Sequence, residues 1–365
     1  MNSVSLAASA FQRHNPPAKP LVTLVIPAFN EEAVLESTLA EISQGIAPLR
    51  EQYEFEALIV NDGSSDATAE IAEGLAQRLD WVRVIHHPKN RGLSEALRTG
   101  FANSKSRYVI VLDADMSYSA DHIPALLEAI ARTSTQMVLA SPYMTGGKIS
   151  GIPPFRYALS RVANRFLSWI SQSKLSTLTG MVRIYDGAFI RGLVLRGNAM
   201  AAMPEIIYKS MILRANVAEI PAHLDWSKLQ IHQGRRRSSM RILSQIFSTV
   251  MSGFAFRPFM FFILPGLLLS LFSAYVVVWM FIHYFEALWQ LPPNASDITL
   301  ALRTAYLHYP YTYIVGLLST MVSIQLLALG ILALQAKRYF EESFNLGSTL
   351  NRRLLAIEER LPPRD

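Results

Sequence analysis

Two stretches near the C-terminus contain no Asp, Glu, Lys or Arg: Pro258 to Phe285 and Thr304 to Ala336. Each is longer than the roughly 20 apolar residues that cross a bilayer as a helix. The competing reading is a pair of buried core helices, but uncharged runs of this length are rare in soluble domains. The 51% hydrophobic content is high for a soluble protein and most of the excess sits after residue 257; we read the two runs as transmembrane helices at 258–285 and 311–336. Orientation follows from the basic residues. Arg235, Arg236, Arg237, Arg241 and Arg257 precede the first run, and Lys337, Arg338, Arg352, Arg353, Arg360 and Arg364 follow the second. The loop at 286–310 holds only Arg303. The positive-inside rule then puts both termini and the large N-terminal part in the cytoplasm and the loop outside. The expectation is an integral membrane protein of two spans, of bacterial inner-membrane type, with a cytoplasmic tail at 337–365. The net charge of +6 reads as attraction to anionic headgroups. A nucleic-acid footprint is disfavoured because the clusters sit where the membrane begins. Residues 1–20 lack the pattern of a signal peptide and read as a flexible tail. The chain has no cysteine, which removes disulfide and thiol chemistry.

Between residues 21 and 235 apolar strands alternate with helical stretches. LVTLVIPAF (21–29) reads as a strand, followed by a helix opening at Asn30-Glu31-Glu32, with Asn30 as its N-cap. FEALIVND (55–62), VRVIHH (82–87), YVIVLDAD (108–115) and QMVLASPY (136–143) read as further strands. Helices are expected at 64–79, from about 93 to 103, and from about 121 to 133, the last capped by Asp121. This alternation predicts an α/β fold with a mostly parallel, Rossmann-like sheet covered on both faces. In such sheets ligands bind beyond the carboxyl ends of the strands, at a topological switch point. Three strand ends bring polar residues to that rim: Pro27 to Glu31, Asn61 to Ser64, and Asp113 to Asp115. Any one of them alone would be ordinary turn chemistry.

The carboxylates of Asp113 and Asp115 lie one residue apart and repel each other unless a cation or a proton intervenes. Hard oxygen ligands at this spacing suit Mg²⁺ or Mn²⁺, with phosphates and water completing the shell. Such an ion would neutralise a leaving nucleoside diphosphate. D-x-D is a short pattern, and by itself it is equally at home as a solvated loop before the next helix.

The segments VTLVIPAFNEE, LIVNDGSSDAT, HPKNRGLSEALRTGF and VIVLDAD together resemble, in order and spacing, the family 2 glycosyltransferases of GT-A fold. The resemblance implies an inverting transferase that uses a nucleotide-diphosphate sugar. On it, Pro27, Ala28 and Glu31 line the nucleotide pocket and Asp62 contacts the base. Asp113 lies by ribose and metal, and Asp115 ligates the metal. Farther along, SRVANRF (160–166), LTGMVRIYDGAFI (178–190) and AMPEIIYKS look like segments of the polyprenyl-phosphate glycosyltransferases, the group containing dolichol-phosphate mannose synthase. Arg183 matches that group's arginine, and Glu205 its glutamate-bearing segment. Two departures stand out. Ser117 stands where relatives often carry Gln, and Pro142 where they carry a phosphate-binding arginine, a role for which Lys148 is a candidate substitute.

A lipid-phosphate acceptor agrees with the remaining residues. The stretch at 155–172 arranges Leu159, Val162, Phe166, Trp169 and Ile170 along one helical face, with Arg156, Arg161 and Arg165 mainly elsewhere. That composition suits a helix lying in the headgroup layer, although a surface helix packed on the core has the same pattern. Residues 236–257 repeat the theme as a juxtamembrane amphipathic helix. Arg183 and Arg235, Arg236 and Arg237 are candidates for acceptor or donor phosphates, since guanidinium matches phosphate geometry. A lipid phosphate is already nucleophilic and needs no general base, unlike a sugar hydroxyl. The leading expectation is therefore transfer of a monosaccharide from a nucleotide-diphosphate sugar to an undecaprenyl or dolichyl phosphate at the cytoplasmic leaflet. Asp113, Asp115 and Arg183 are its candidate catalytic residues, and homo-oligomers are possible. The alternatives are a membrane glycosyltransferase acting on a glycan or glycolipid hydroxyl, and a silent membrane scaffold.

Overall fold

The computed structural model describes residues 19–171, 175–195, 202–227, 257, 259–292 and 297–358. The expected amphipathic helix at 236–257, apart from Arg257, and the arginines at 235–237 lie outside the described residues, as do residues 1–18 of the expected tail.

The seven-stranded sheet contains β1 (Leu21–Ala28), β2 (Glu54–Asn61), β3 (Val82–His86), β4 (Tyr108–Val111), β5 (Met137–Ser141), β7 (Arg183–Asp186) and β8 (Val217–Pro221). Its order is β3-β2-β1-β4-β7-β5-β8. Strands β1 to β4 are mutually parallel, and β5 is parallel to β8. Only β7 runs against its neighbours, pairing Arg183 with Val111 on one side and with Leu139 on the other. Because β7 is reversed, its first residue lies at the same rim as the last residues of β4 and β5. The mostly parallel α/β architecture expected from the sequence is the one present, with this strand inserted. A second sheet of two short strands, β6 (Lys148–Ser150) and β9 (His223–Asp225), joins the rim through an isolated bridge between Tyr118 and Leu224.

Alternation along the strands divides the core in two. Val22, Leu24 and Ile26 of β1 pack with α1 (Leu35–Ile46), α2 (Thr68–Arg78) and α4 (His122–Thr133). Val25, Val109 and Val111 pack on the opposite face with α3 (Leu93–Ala102), α6 (Gly187–Arg191) and α7 (Ala202–Ile212). The chain moves outward from β1 to β2 and β3, then returns to place β4 on the other side of β1. The switch point therefore lies between the ends of β1 and β4.

The sequence expectation differs at several boundaries. No helix opens at Asn30: its φ is +58°, and α1 begins at Leu35 with no side-chain cap. Asp121 occupies the position before α4 but does not cap it, since its carboxylate accepts from the Ser119 hydroxyl at 2.8 Å instead. The expected interface helix is α5 (Pro154–Ser171). On it Val162 is 65% exposed, Arg161 and Arg165 are exposed, and Asn164 is buried.

Two helices, α8 (Met260–Gln290) and α10 (Pro310–Glu358), are long and apolar enough to cross a membrane. Only 17% of each apolar window is buried, which distinguishes them from core helices of a soluble domain. They pack closely: the Ser273 and Thr320 hydroxyls are 2.5 Å apart, and Ser323 donates to Gly266 O at 3.2 Å. The expected outer loop contains a helix, α9 (Ile298–His308), that the sequence reading lacked. The expected tail after Lys337 is no separate segment either, because α10 continues unbroken to Glu358. Its extension rests on the α/β domain. Phe340 stacks on Tyr208 with centroids 6.2 Å apart, Phe344 lies under the Lys209 ammonium at 5.2 Å, and Asn351 donates to Gly192 O at 3.4 Å. The α/β domain and the α10 extension thus lie at the same end of the apolar helix pair.

Candidate active site

Three carboxylates converge at the switch point. Glu31 follows β1 in a loop that is stapled to residues 64–68. Asn30 N–H donates to Ser64 Oγ at 3.0 Å, and Glu31 N–H to Thr68 Oγ1 at 2.8 Å. In return, Ser65 N–H donates to Asn30 Oδ1 at 2.9 Å and Ala67 N–H to Glu32 Oε2 at 2.8 Å. The residues that look like a helix start are spent on this cross-loop network, which explains why α1 begins late.

Asp113 and Asp115 sit on a tight turn after β4. Met116 N–H donates to Asp113 O at 3.2 Å, with Met116 at φ +49°. Ser117 N–H donates to Asp115 Oδ1 at 2.9 Å, and the Ser117 hydroxyl reaches Asp113 Oδ2 at 3.4 Å. Burial, followed by the negative charge of Asp115, raises the Asp113 pKa from 3.8 to about 7. Burial again, then Asp115 and Asp66, raises Glu31 from 4.5 to about 7. All three groups thus bear on one another electrostatically, each carboxylate disfavouring ionisation of the next.

A divalent ion fits this donor set in one way only. Among the described residues there is no group of three or more His, Asp or Glu side chains arranged to hold a metal. The protein offers a carboxylate pair of hard oxygens with a third carboxylate nearby, and the remaining positions fall to phosphate and water.

Pro27 and Ala28 end β1, where Ala28 O accepts from Asp62 N–H at 2.9 Å. Asp62 itself is buried, at 3% exposure. Its Oδ1 accepts from Arg91 N–H at 2.9 Å and lies 2.6 Å from His87 Nδ1, while Oδ2 accepts from Gly92 N–H at 2.7 Å. His87 Nε2 lies 2.9 Å from the Thr99 hydroxyl. Expected as a base contact, Asp62 in this structure anchors the loop that opens α3. Gly63 completes the arrangement: its φ is +66°, and a Cβ there would lie 2.6 Å from Lys89 Cα. His87 escaped the sequence reading because its partner lies 25 residues away and nothing local links them.

Arg183 is placed at the rim but inside the protein. It is fully buried and donates to Gly180 O at 2.8 Å, Leu178 O at 2.9 Å and Met203 O at 3.2 Å. Burial lowers its pKa from the ordinary value. An arginine so placed holds the 178–183 loop and does not present its guanidinium to a phosphate. The same loop is gripped from α5, where Asn164 Oδ1 accepts from Leu178 N–H at 3.1 Å, and from β8, where Glu219 accepts from Ser176 and Thr177 N–H at 2.8 and 3.1 Å. Lys148 lies exposed on β6. Glu205 pairs with Lys209 one turn later on α7, and Lys209 also donates to Val194 O at 2.6 Å. That i,i+4 spacing was legible in the sequence, but the buried carbonyl partner and the Phe344 ring were not.

In comparison with known proteins, residues 23–191 match the model of Glycosyl transferase family 2. The dolichol-phosphate mannosyltransferase of Pyrococcus furiosus is 33% identical over 142 residues, 39% of each chain. The undecaprenyl-phosphate mannosyltransferase of Micrococcus luteus is 26% identical over 206 residues, 55% of this chain and 82% of that one. Among solved structures, glucosyl-3-phosphoglycerate synthase from Mycobacterium tuberculosis superposes with a TM-score of 0.48 at 18% identity, covering 65% of this chain and 80% of that one. The chain spans about two-fifths of the length of the first curated relatives it matches.

Proposed function

With a glycosyl transferase family 2 domain over residues 23–191, we propose that this protein transfers a monosaccharide, with inversion, from a nucleotide-diphosphate sugar to a polyprenyl phosphate at the cytoplasmic membrane surface. The observation that carries the reading is the meeting of Glu31, Asp113 and Asp115 at the switch point, in a domain resting on the extension of a membrane-length helix. Two similar proteins bear the names of transferases to dolichol phosphate and undecaprenyl phosphate, which supports the acceptor class.

On this reading each rim residue has its own role. Pro27 and Ala28 form the end of β1 against which the nucleotide lies, and Asp62 shapes the neighbouring wall by holding Arg91 and Gly92. Asp113 and Asp115 would hold Mg²⁺ or Mn²⁺, which would supply neutralisation of the charge on a departing diphosphate. An anionic acceptor oxygen attacks the anomeric carbon from the face opposite the departing group, so the protein's task is positioning and charge compensation. No general base is required, consistent with Glu205 being engaged by Lys209. Arg183 acts by holding the 178–183 loop. Lys148, exposed at the rim, and the basic cluster at 235–237 remain the candidates for the acceptor phosphate, and Arg161 and Arg165 on α5 for lipid headgroups.

The test is direct. Full-length protein in detergent, with Mn²⁺, a panel of radiolabelled nucleotide sugars and undecaprenyl phosphate, should yield a solvent-extractable product with one donor. Mild acid should release the sugar from it, as expected of a glycosyl phosphate. A product stable to mild acid would replace the phosphate acceptor with a hydroxyl. No turnover of any donor would remove the assignment.

A further inference from the structure

The turn that carries Asp113 and Asp115 is held from outside as well as from β4. Met116 lies in the left-handed region, a conformation that L-residues keep only where surrounding contacts over-determine it. Three contacts do so, all with β9 or its neighbour α4. Asp225 N–H donates to Ser117 O at 2.8 Å, and Tyr118 bridges to Leu224. The third runs through His122, the first residue of α4. Its Nδ1 lies 2.8 Å from Ser119 O, and its Nε2 lies 2.9 Å from the backbone N–H of His223. A carbonyl can only accept and a backbone N–H can only donate, so these partners fix one form: neutral imidazole, protonated at Nδ1. The ring also sits edge-on to Tyr118, with centroids 6.0 Å apart. One side chain therefore ties the far end of the carboxylate turn to the main chain of β9.

We propose that His122 is a positioning residue for the donor and metal end of the site, bracing the Asp113–Ser119 turn against β9 so that the two carboxylates are presented in one geometry. The inference rests on the donor and metal reading given above. His122 touches neither donor nor metal; it acts through Ser119 and His223. The 178–183 loop is held independently by Arg183, Asn164 and Glu219, so its hydrogen exchange serves as the internal control.

The experiment uses full-length protein and two substitutions. His122→Phe keeps a ring against Tyr118 and removes both hydrogen bonds. His122→Gln supplies an amide oxygen where Nε2 accepts from His223. Hydrogen exchange of the segments covering 113–125 and 217–227 reads the brace, and steady-state kinetics with varied donor, Mn²⁺ and polyprenyl phosphate read its consequence. His122→Phe should speed exchange at 223–225 and raise KM for donor and Mn²⁺ about fivefold, the equivalent of about 1 kcal/mol for one backbone hydrogen bond. Exchange at 178–183 should stay at the wild-type rate, and His122→Gln should recover most of both effects. Unchanged exchange at 223–225 in His122→Phe, unchanged KM for donor and Mn²⁺, or failure of Gln to recover either would overturn the proposal. Wild-type protein that transfers no sugar would overturn the function reading, while the exchange result would still decide whether the brace exists.

Discussion

Replacing Asp62 separates two roles that the site leaves entangled. As a base contact, its loss should appear in donor affinity. As the anchor of the 87–92 loop, its loss should appear in stability. The structure favours the second by arithmetic. In Asp62→Ala the N–H groups of Arg91 and Gly92, both now bonded to a carboxylate, lose their acceptor. Arg91 is exposed and Gly92 half-buried, so water replaces the carboxylate in part and each loss costs about 1 kcal/mol; the buried His87 Nδ1 loses its partner as well at about 1–3 kcal/mol, giving about 3–5 kcal/mol in total. Asp62→Asn costs less. Its oxygen can serve Gly92, and His87 can turn tautomer to accept from the new amide. Arg91 N–H then faces an NH₂ group and stays unpaired, which leaves about 1–3 kcal/mol. For a domain of this size each kcal/mol moves the unfolding midpoint by about 2–4 °C. The midpoint, followed by tryptophan fluorescence at a fixed scan rate, should therefore fall on the order of 10 °C for Ala and about 5 °C for Asn. Donor KM should rise in the same order. A midpoint within about 1 °C of wild type for Asp62→Asn, together with a large rise in donor KM, would refute the anchoring argument and restore the base contact.

Four further outcomes follow from named contacts. Asp115→Asn should abolish transfer and the Mn²⁺-induced rise in midpoint, yet the metal-free midpoint should equal or exceed wild type, because Asp115 is a charge that disfavours ionised Asp113 and Glu31; a clear fall in that midpoint would contradict this. Arg183→Lys should lower the midpoint, since one ammonium cannot reach three carbonyls spread around a planar guanidinium; a normal midpoint with a raised acceptor KM would instead make Arg183 a phosphate contact. Burial pushes the Asp66 carboxyl up, but hydrogen bonds from Thr68 and Glu32 outweigh it and leave the pKa below 3.8. Its stabilisation is therefore complete above that value and is lost as pH falls through the folded pKa, so acid titration of Asp66→Asn should show a shallower loss of midpoint than wild type. Because the chain has no cysteine, Ser273→Cys with Thr320→Cys should cross-link α8 to α10 under mild oxidation on a silent background, and no cross-link would contradict the helix pairing.

The architecture was legible because the four buried strands from Val22 to Ser141 are apolar runs between turn residues, and the membrane-length helices because they carry no charge. What escaped was the content of long-range pairs. Asn30, Glu31 and Glu32 carry every local mark of a helix start, and the competing partners that hold them in a loop lie 34 to 37 residues away. Asp121 has the type and place of a cap, but the Ser119 hydroxyl two residues earlier takes its carboxylate. The extension of α10 past Lys337 looked like a tail because its charges suggest solvent. Its aromatic face, Phe340 and Phe344, is matched by residues of α7 more than a hundred positions earlier.

Arg183 shows how a motif position and its physical role come apart. The sequence places an arginine near carboxylates, and a phosphate contact is the natural expectation for a guanidinium in that company. The strand that carries it, however, is the single antiparallel member of the large sheet, inserted between β4 and β5, and that insertion turns the side chain into the fold. A buried guanidinium satisfied by carbonyls stabilises a loop, and it offers a ligand its field but no direct hydrogen bond. On the proposed function, charge compensation at this rim would come from a divalent cation held by Asp113 and Asp115 and from the basic candidates, Lys148 and the arginines at 235–237. The contacts that brace the carboxylate turn from β9 and α4 would then set how tightly such a cation and its diphosphate are held.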